Sequence, residues 1–188
     1  AGRFHAPSNQ LYRFLRFFGG YTDIKGTYSS SAAEAIIPYI IGHNYHPAIA
    51  QQTSWRMVAE HCELFVSFGS LRINNSQVTY GGQGPHHTLE WVEAAAANGV
   101  SFVNIGPIRD DQAAEANGRW QPIRPGTDVA LMLGLMHTLL CEDEADREFL
   151  ERYCTGWERL EAYVLGQSDG QPKSARWASE ITGIDAAV

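Results

Sequence analysis

The chain has 188 residues, 44% of them hydrophobic and 19% charged, which is enough apolar material for about one to one and a half domains and too much for a disordered chain. Its net charge of −7 excludes nucleic acid as the main partner, because phosphate binding needs clustered Lys and Arg. No membrane-crossing helix is expected: the run Val129 to Cys141 falls short of a bilayer span and is interrupted by Gly134 and His137. Cys62, Cys141 and Cys154 are odd in number and far apart, so they read as indifferent thiols rather than a disulfide or zinc framework.

The first residues, Ala1-Gly2-Arg3-Phe4-His5, carry no initiator Met and no signal-peptide core, and read as a chain that starts inside a domain. Residues 7–18 have apolar positions at helical spacing, with Ser8 as the expected cap and Gly19-Gly20 as the stop. A polar loop, 21–31, leads to a second apolar helix over 32–41, which Pro38 should kink or shorten. Trp55 to His61 reads as a short helix, and Leu64 to Phe68 as the first strand, ended by Gly69.

A Gly-rich loop covers 70–87. Thr88 is the expected cap of a helix reaching Asn98-Gly99, and Val100 to Ile105 is the second strand, closed by Gly106-Pro107. A polar helix over 111–117, a short strand over 120–123 and a long helix from Val129 to Cys141 follow. The remaining residues read as helical pieces divided by Gly156, Gly166 to Gly170, and Gly183. Strand alternating with helix is the pattern of an α/β fold: a parallel sheet with helices on both faces. The expected organisation is a helical and loop segment, 1–60, followed by a Rossmann-like α/β domain, 61–188.

In open α/β sheets, ligands bind beyond the carboxyl ends of the strands, where loops and helix N-termini present free N–H groups. Three such ends are expected: Gly69 to Asn75, Gly106 to Asp110, and Arg124 to Asp128. Each has a residue that lets backbone approach closely, and together they offer Arg for phosphate and a carboxylate for a base edge. The spacing alone leaves ligand cleft and plain turns equally open. No G-x-G-x-x-G is present, which disfavours a dehydrogenase.

Longer motifs carry more. Tyr28-Ser29-Ser30-Ser31-Ala32, Ile36 to Gly42, Gln51 to Trp55, Arg124-Pro125-Gly126-Thr127-Asp128 with the helix after it, and Ser168-Asp169-Gly170 with Lys173 and Trp177-Ala178 resemble segments of the dimethyl sulfoxide, trimethylamine N-oxide and biotin sulfoxide reductase family. The opening pentapeptide, Ser67-Phe68-Gly69 and Gly106 to Asp110 lean toward the biotin sulfoxide branch. The resemblance covers essentially the whole chain and implies a piece of a longer molybdenum oxidoreductase. That enzyme would hold bis-molybdopterin guanine dinucleotide and reduce small S-oxides or N-oxides with electrons from a donor the sequence does not reveal. The remainder of the parent polypeptide would then be the main partner. The alternative is a non-catalytic nucleotide-binding fragment with no turnover of its own.

The resemblance also implies roles. Ser29 is the expected molybdenum ligand and catalytic residue, since four dithiolene sulfurs leave the protein one hard oxygen donor to supply. Ser31, better placed as the helix cap, would leave Ser29 for that task. Gly69, Ser70, Arg72 and Asn75 are expected at the pterin or diphosphate, and Pro107 and Arg109 near the nucleotide. Arg109 could equally pair with Asp110 or Asp111. Gly126, Thr127 and Asp128 should form a guanine pocket, with Asp128 accepting from the ring N1–H and N2–H₂. A first-turn acid is also expected on helix-dipole grounds alone. Gln51 and Gln52 are expected to face the active site or to be buried amides. The pairs His43/His46 and His86/His87 lack a third ligand at metal-site spacing. Trp55, Trp91, Trp120, Trp157 and Trp177 are expected in the core.

Overall fold

The computed structural model describes residues 7–23, 29–69, 71–76 and 86–188. Ser70, Tyr28 and the opening pentapeptide lie outside them, as does the side chain of Asn75. The chain divides into two compact units, Ala1–Gln52 and Thr53–Val188.

In the first unit, helix α1 (Pro7–Phe17) starts one residue before Ser8, so Ser8 is a helical residue rather than the cap. Proline suits a first helical position because its missing N–H has no partner to lose there. Gly19 and Gly20 stop the helix with φ of +120° and +100°. Helix α2 (Ser31–Ile41) is capped by Ser30, and Ser31 is its first residue. The hydroxyl of Ser30 bonds Glu34 Oε1 at 3.1 Å rather than the backbone. Pro38 does not shorten α2: the helix runs on to Ile41 and ends at Gly42, whose N–H donates to Pro38 O. Helix α3 (Tyr45–Ala50) packs beside α2. Neither α2 nor α3 has a buried residue.

The second unit is the expected parallel α/β fold. Strands β1 (Leu64–Phe68), β2 (Ser101–Ile105) and β3 (Arg119–Gln121) lie in that order, all parallel. Leu64 pairs with Ser101, Phe68 with Ile105, and Val103 with Arg119. Side chains alternate across a strand, so the sheet offers two apolar faces; one is closed, while on the other Leu64 and Val66 stay 56% and 40% exposed. Phe65 and Phe102 face helices α4 (Trp55–His61) and α6 (Thr88–Ala97), where Ala59, Val92 and Ala95 close the first cluster. Val103 and Ile105 face the other way, against Ile123, Leu131 and Ile184. These come from helix α7 (Asp128–Cys141) and from the turns beside β3 and helix α10 (Ala175–Thr182).

Local chemistry explains most boundaries. Ser54 caps α4 through Met57 N, and Ser174 caps α10 through Trp177 N. His87, not Thr88, occupies the cap position of α6. At its far end Asn98 donates to Ala59 O at 2.9 Å and ties α6 to α4. The polar helix expected over 111–117 is instead two short 3₁₀ turns, Arg109–Asp111 and Ala114–Ala116. Its Asp and Asn compete for backbone groups and favour turns over helix. Helices α5 (Ile73–Ser76), α8 (Arg147–Tyr153) and α9 (Trp157–Val164) complete the unit, the last two joined by a two-pronged Arg147–Glu161 pair at 2.9 and 2.7 Å. The five tryptophans are half-buried rather than fully enclosed, as suits a large ring with a polar N–H.

Candidate functional site

Parallel pairing brings the carboxyl ends of all three strands to one edge of the sheet. Gly69, with φ of +101°, donates its N–H to Ile105 O, and Gly106 donates to Gln121 O. A Cβ on Gly106 would stand 2.5 Å from Gly69 O, so the β1 and β2 ends approach closely only because this position is glycine. Pro107 and Arg109 follow on the exposed rim.

Charge at this edge is arranged differently from the expectation. Asp111 pairs with Arg72, Nε to Oδ1 at 3.2 Å, while Leu71 N donates to Asp111 O. The segment after β1 is thereby tied to the segment after β2. Arg109 is exposed and takes no ion pair among the described residues.

Beyond β3 the chain turns through Arg124, Pro125 and Gly126, the last with φ of +76°, into α7. Thr127 holds the cap position, but its hydroxyl donates back to Arg124 O at 2.7 Å and caps nothing in the helix. Asp128 is the first helical residue, half-buried, and its carboxylate accepts no hydrogen bond among the described residues. An acceptor pair beside a helix N-terminus with unpaired N–H groups can receive a ligand that presents donors, a guanine edge being one.

The first unit holds the other expected residues. Ser29 is exposed in the turn just before α2. Gln51 and Gln52 are exposed where α3 ends, which removes the reading of buried amides; Gln51 N closes that helix onto Pro47 O and Ala48 O. No group of three His, Cys, Asp or Glu side chains that could hold a metal exists among the described residues. His87 instead meets Glu90 at 2.9 Å, and His46 lies 3.9 Å from Glu34. All three cysteines are free thiols.

Two residues at this edge escaped the sequence reading. Asn104, buried on β2, accepts from Ser67 Oγ at 2.8 Å, and its Nδ2 has no partner among the described residues. A polar residue inside an apolar strand was the available signal. Arg124 was read only as part of a motif, yet its guanidinium donates to Glu180 O at 2.8 Å and Ile181 O at 3.1 Å. Nothing in the local sequence announces a contact across more than fifty residues.

No family model matches the chain. It is similar to curated proteins along 98% of its length: 37% identical over 185 residues to a biotin sulfoxide reductase of Cereibacter sphaeroides, and 33% identical over 185 residues to a trimethylamine-N-oxide reductase of Haemophilus influenzae. A dimethyl sulfoxide/trimethylamine N-oxide reductase of Rhodobacter capsulatus is 36% identical over 186 residues. The chain spans 22–25% of the length of these relatives.

Proposed function

We propose that the chain belongs with the biotin sulfoxide, dimethyl sulfoxide and trimethylamine N-oxide reductases it is similar to, and that it supplies one cofactor-binding portion of a molybdenum S-oxide or N-oxide reductase. The observation that carries this reading is similarity to such enzymes along 98% of the chain. The edge shared by three parallel strands supports it, since that is where an α/β sheet takes a dinucleotide.

The residues present fit a guanine dinucleotide. Gly69, with nothing within 4 Å of where a Cβ would be, leaves bare backbone open to a diphosphate, and Arg72 and Arg109 supply cations from the segments after β1 and β2, with Ser70 and Asn75 proposed from the sequence as further contacts. The Gly126–Thr127 turn aims the N-terminus of α7 outward, and Asp128 offers two acceptor oxygens to the guanine N1–H and N2–H₂. Ser29, on an exposed turn just before α2, is the oxygen donor offered to molybdenum. Gln51 and Gln52, exposed at the end of α3, would present amides to substrate.

When bound, the cofactor supplies a two-electron reduction in which R₂S=O or R₃N=O with two protons gives R₂S or R₃N and water. This chain orients the dinucleotide, tunes the metal through one side-chain oxygen and leaves the electrons to a separate donor.

Ser29→Ala in the full-length reductase tests the reading. One exposed loop hydroxyl contributes little to folding, so thermal stability should hold within about 0.5 kcal/mol while S-oxide reduction falls steeply. Near-normal turnover with an unchanged metal spectrum would remove Ser29 as ligand, and Ser30 would be tried next.

A further inference from the structure

Helix α10 ends without a cation of its own. Its last turn has no basic residue, although the terminal carbonyls of any helix lack partners within it and favour positive charge. Arg124, from the turn before α7, fills that need. Its guanidinium donates to Glu180 O and Ile181 O, and its backbone N–H donates to Thr182 O at 2.9 Å. Gly183 makes the room: with φ of +78° it ends the helix, and a Cβ there would lie 3.3 Å from Arg124 Nε. Three carbonyls in one turn thus hold one residue.

The same residue holds the turn that precedes α7. Arg124 O accepts the Thr127 hydroxyl, and Thr127 O in turn accepts the Ala130 N–H at 3.0 Å, the first bond of the helix. An unbroken chain of hydrogen bonds therefore runs from the end of α10 through Arg124 and Thr127 to the start of α7, beside Asp128. Gly126, in the middle, touches nothing within 4 Å of where a Cβ would be, so the turn is held by its ends and not by packing.

We infer that Arg124 is a positioning residue for nucleotide recognition: clamped on the C-terminal carbonyls of α10, it sets the aim of the Asp128 carboxylate. The inference rests on reading Gly126–Asp128 as a guanine site. Both carbonyls are met by one guanidinium nitrogen, Nη1, and a Lys ammonium brings the charge to that place on a more flexible stem without the fixed plane of the guanidinium. The conservative change is therefore informative. Arg124 acts through Asp128 and touches no nucleotide itself, so its effect must vanish once Asp128 can no longer discriminate.

The experiment is a double-mutant cycle in the full-length reductase prepared without cofactor, with GDP and ADP as calorimetric probes. Arg124→Gln should weaken GDP on the order of tenfold and leave ADP unchanged, with Arg124→Lys falling between Gln and the natural residue. In the Asp128→Asn background, Arg124→Gln should weaken GDP no further. An equal loss in both backgrounds, or equal losses of GDP and ADP, would mean a general structural role and overturn the inference. Unchanged GDP affinity in Arg124→Lys and Arg124→Gln, with affinity lost in Asp128→Asn, would overturn the clamp alone. Unchanged affinity in Asp128→Asn would overturn the guanine reading itself.

Discussion

In the unit Thr53–Val188, helix α6 carries Glu90 and Glu93 among its alanines and still buries Val92 and Ala95 completely. In the unit Ala1–Gln52, helix α2 is the more apolar sequence, with four isoleucines, and buries nothing. Side-chain hydrophobicity therefore does not rank the two. What differs is the surface each helix meets. Helix α6 lies on a sheet face where Phe65 and Phe102 stand in line, and a Val and an Ala match their spacing. Helix α2 meets α3, a helix of six residues, which has no comparable face to offer. Burial is a property of a fitted pair, and only the second unit has both partners within it.

The sharpest way to break that comparison is at Phe102, which is 5% exposed and lies 5.4 Å from the Phe65 ring. Phe102→Ala leaves a hole between the sheet and α6 and should cost about 3–5 kcal/mol in urea unfolding. A loss below about 1 kcal/mol would mean that this face is not closed as described.

A smaller effect is expected at low pH, from carboxylates in the second unit. The Lys173 ammonium, 2% exposed, bonds Asp169 at 2.7 Å, and with the Gln171 N–H holds that carboxyl below its ordinary value of 3.8. The Arg147 fork does the same to Glu161, below an ordinary 4.5. Both folded-state values are depressed, so their contribution is present above the ordinary range and is lost as pH falls through the depressed values. The urea midpoint should decline below about pH 4, and Lys173→Met should flatten part of that decline. An unaltered pH profile in the variant would show that Asp169 gains nothing from Lys173.

The smallest effect belongs to the first unit. Tyr39 is 87% exposed and Ile40 67%, so Tyr39→Ala and Ile40→Ser should each change stability by no more than about 0.5 kcal/mol. A loss of 2 kcal/mol at either position would erase the contrast between the units.

Most of the fold was legible because it is locally encoded. Helix α4 and strand β1 have the limits expected from their apolar runs and flanking breakers, and α7 begins one residue early, at Asp128. The misreadings are also local in origin. Ser31 and Thr88 are the first residues, and Ser8 the second, of the helices they were expected to cap, because a cap is defined by backbone geometry and not by residue type. The segment 109–117 carries helix-compatible spacing, but its polar side chains turn it into two 3₁₀ turns. In the candidate site, the three loops and the Gly126–Asp128 turn could be read from glycine placement and motif.

By itself the sequence determined the order of strands and helices, the parallel α/β class, the glycines at close approaches and the reductase family that the chain resembles. Those are consequences of period, punctuation and motif, each contained within a few tens of residues. The tertiary structure alone decided that Arg72 rather than Arg109 pairs with Asp111, that Asn104 keeps an amide unmet inside the sheet, and that Arg124 crosses to the end of α10. The reason is physical: an ionic or polar side chain takes the nearest partner that the packed backbone delivers, and distance in the chain carries no information about which partner that is.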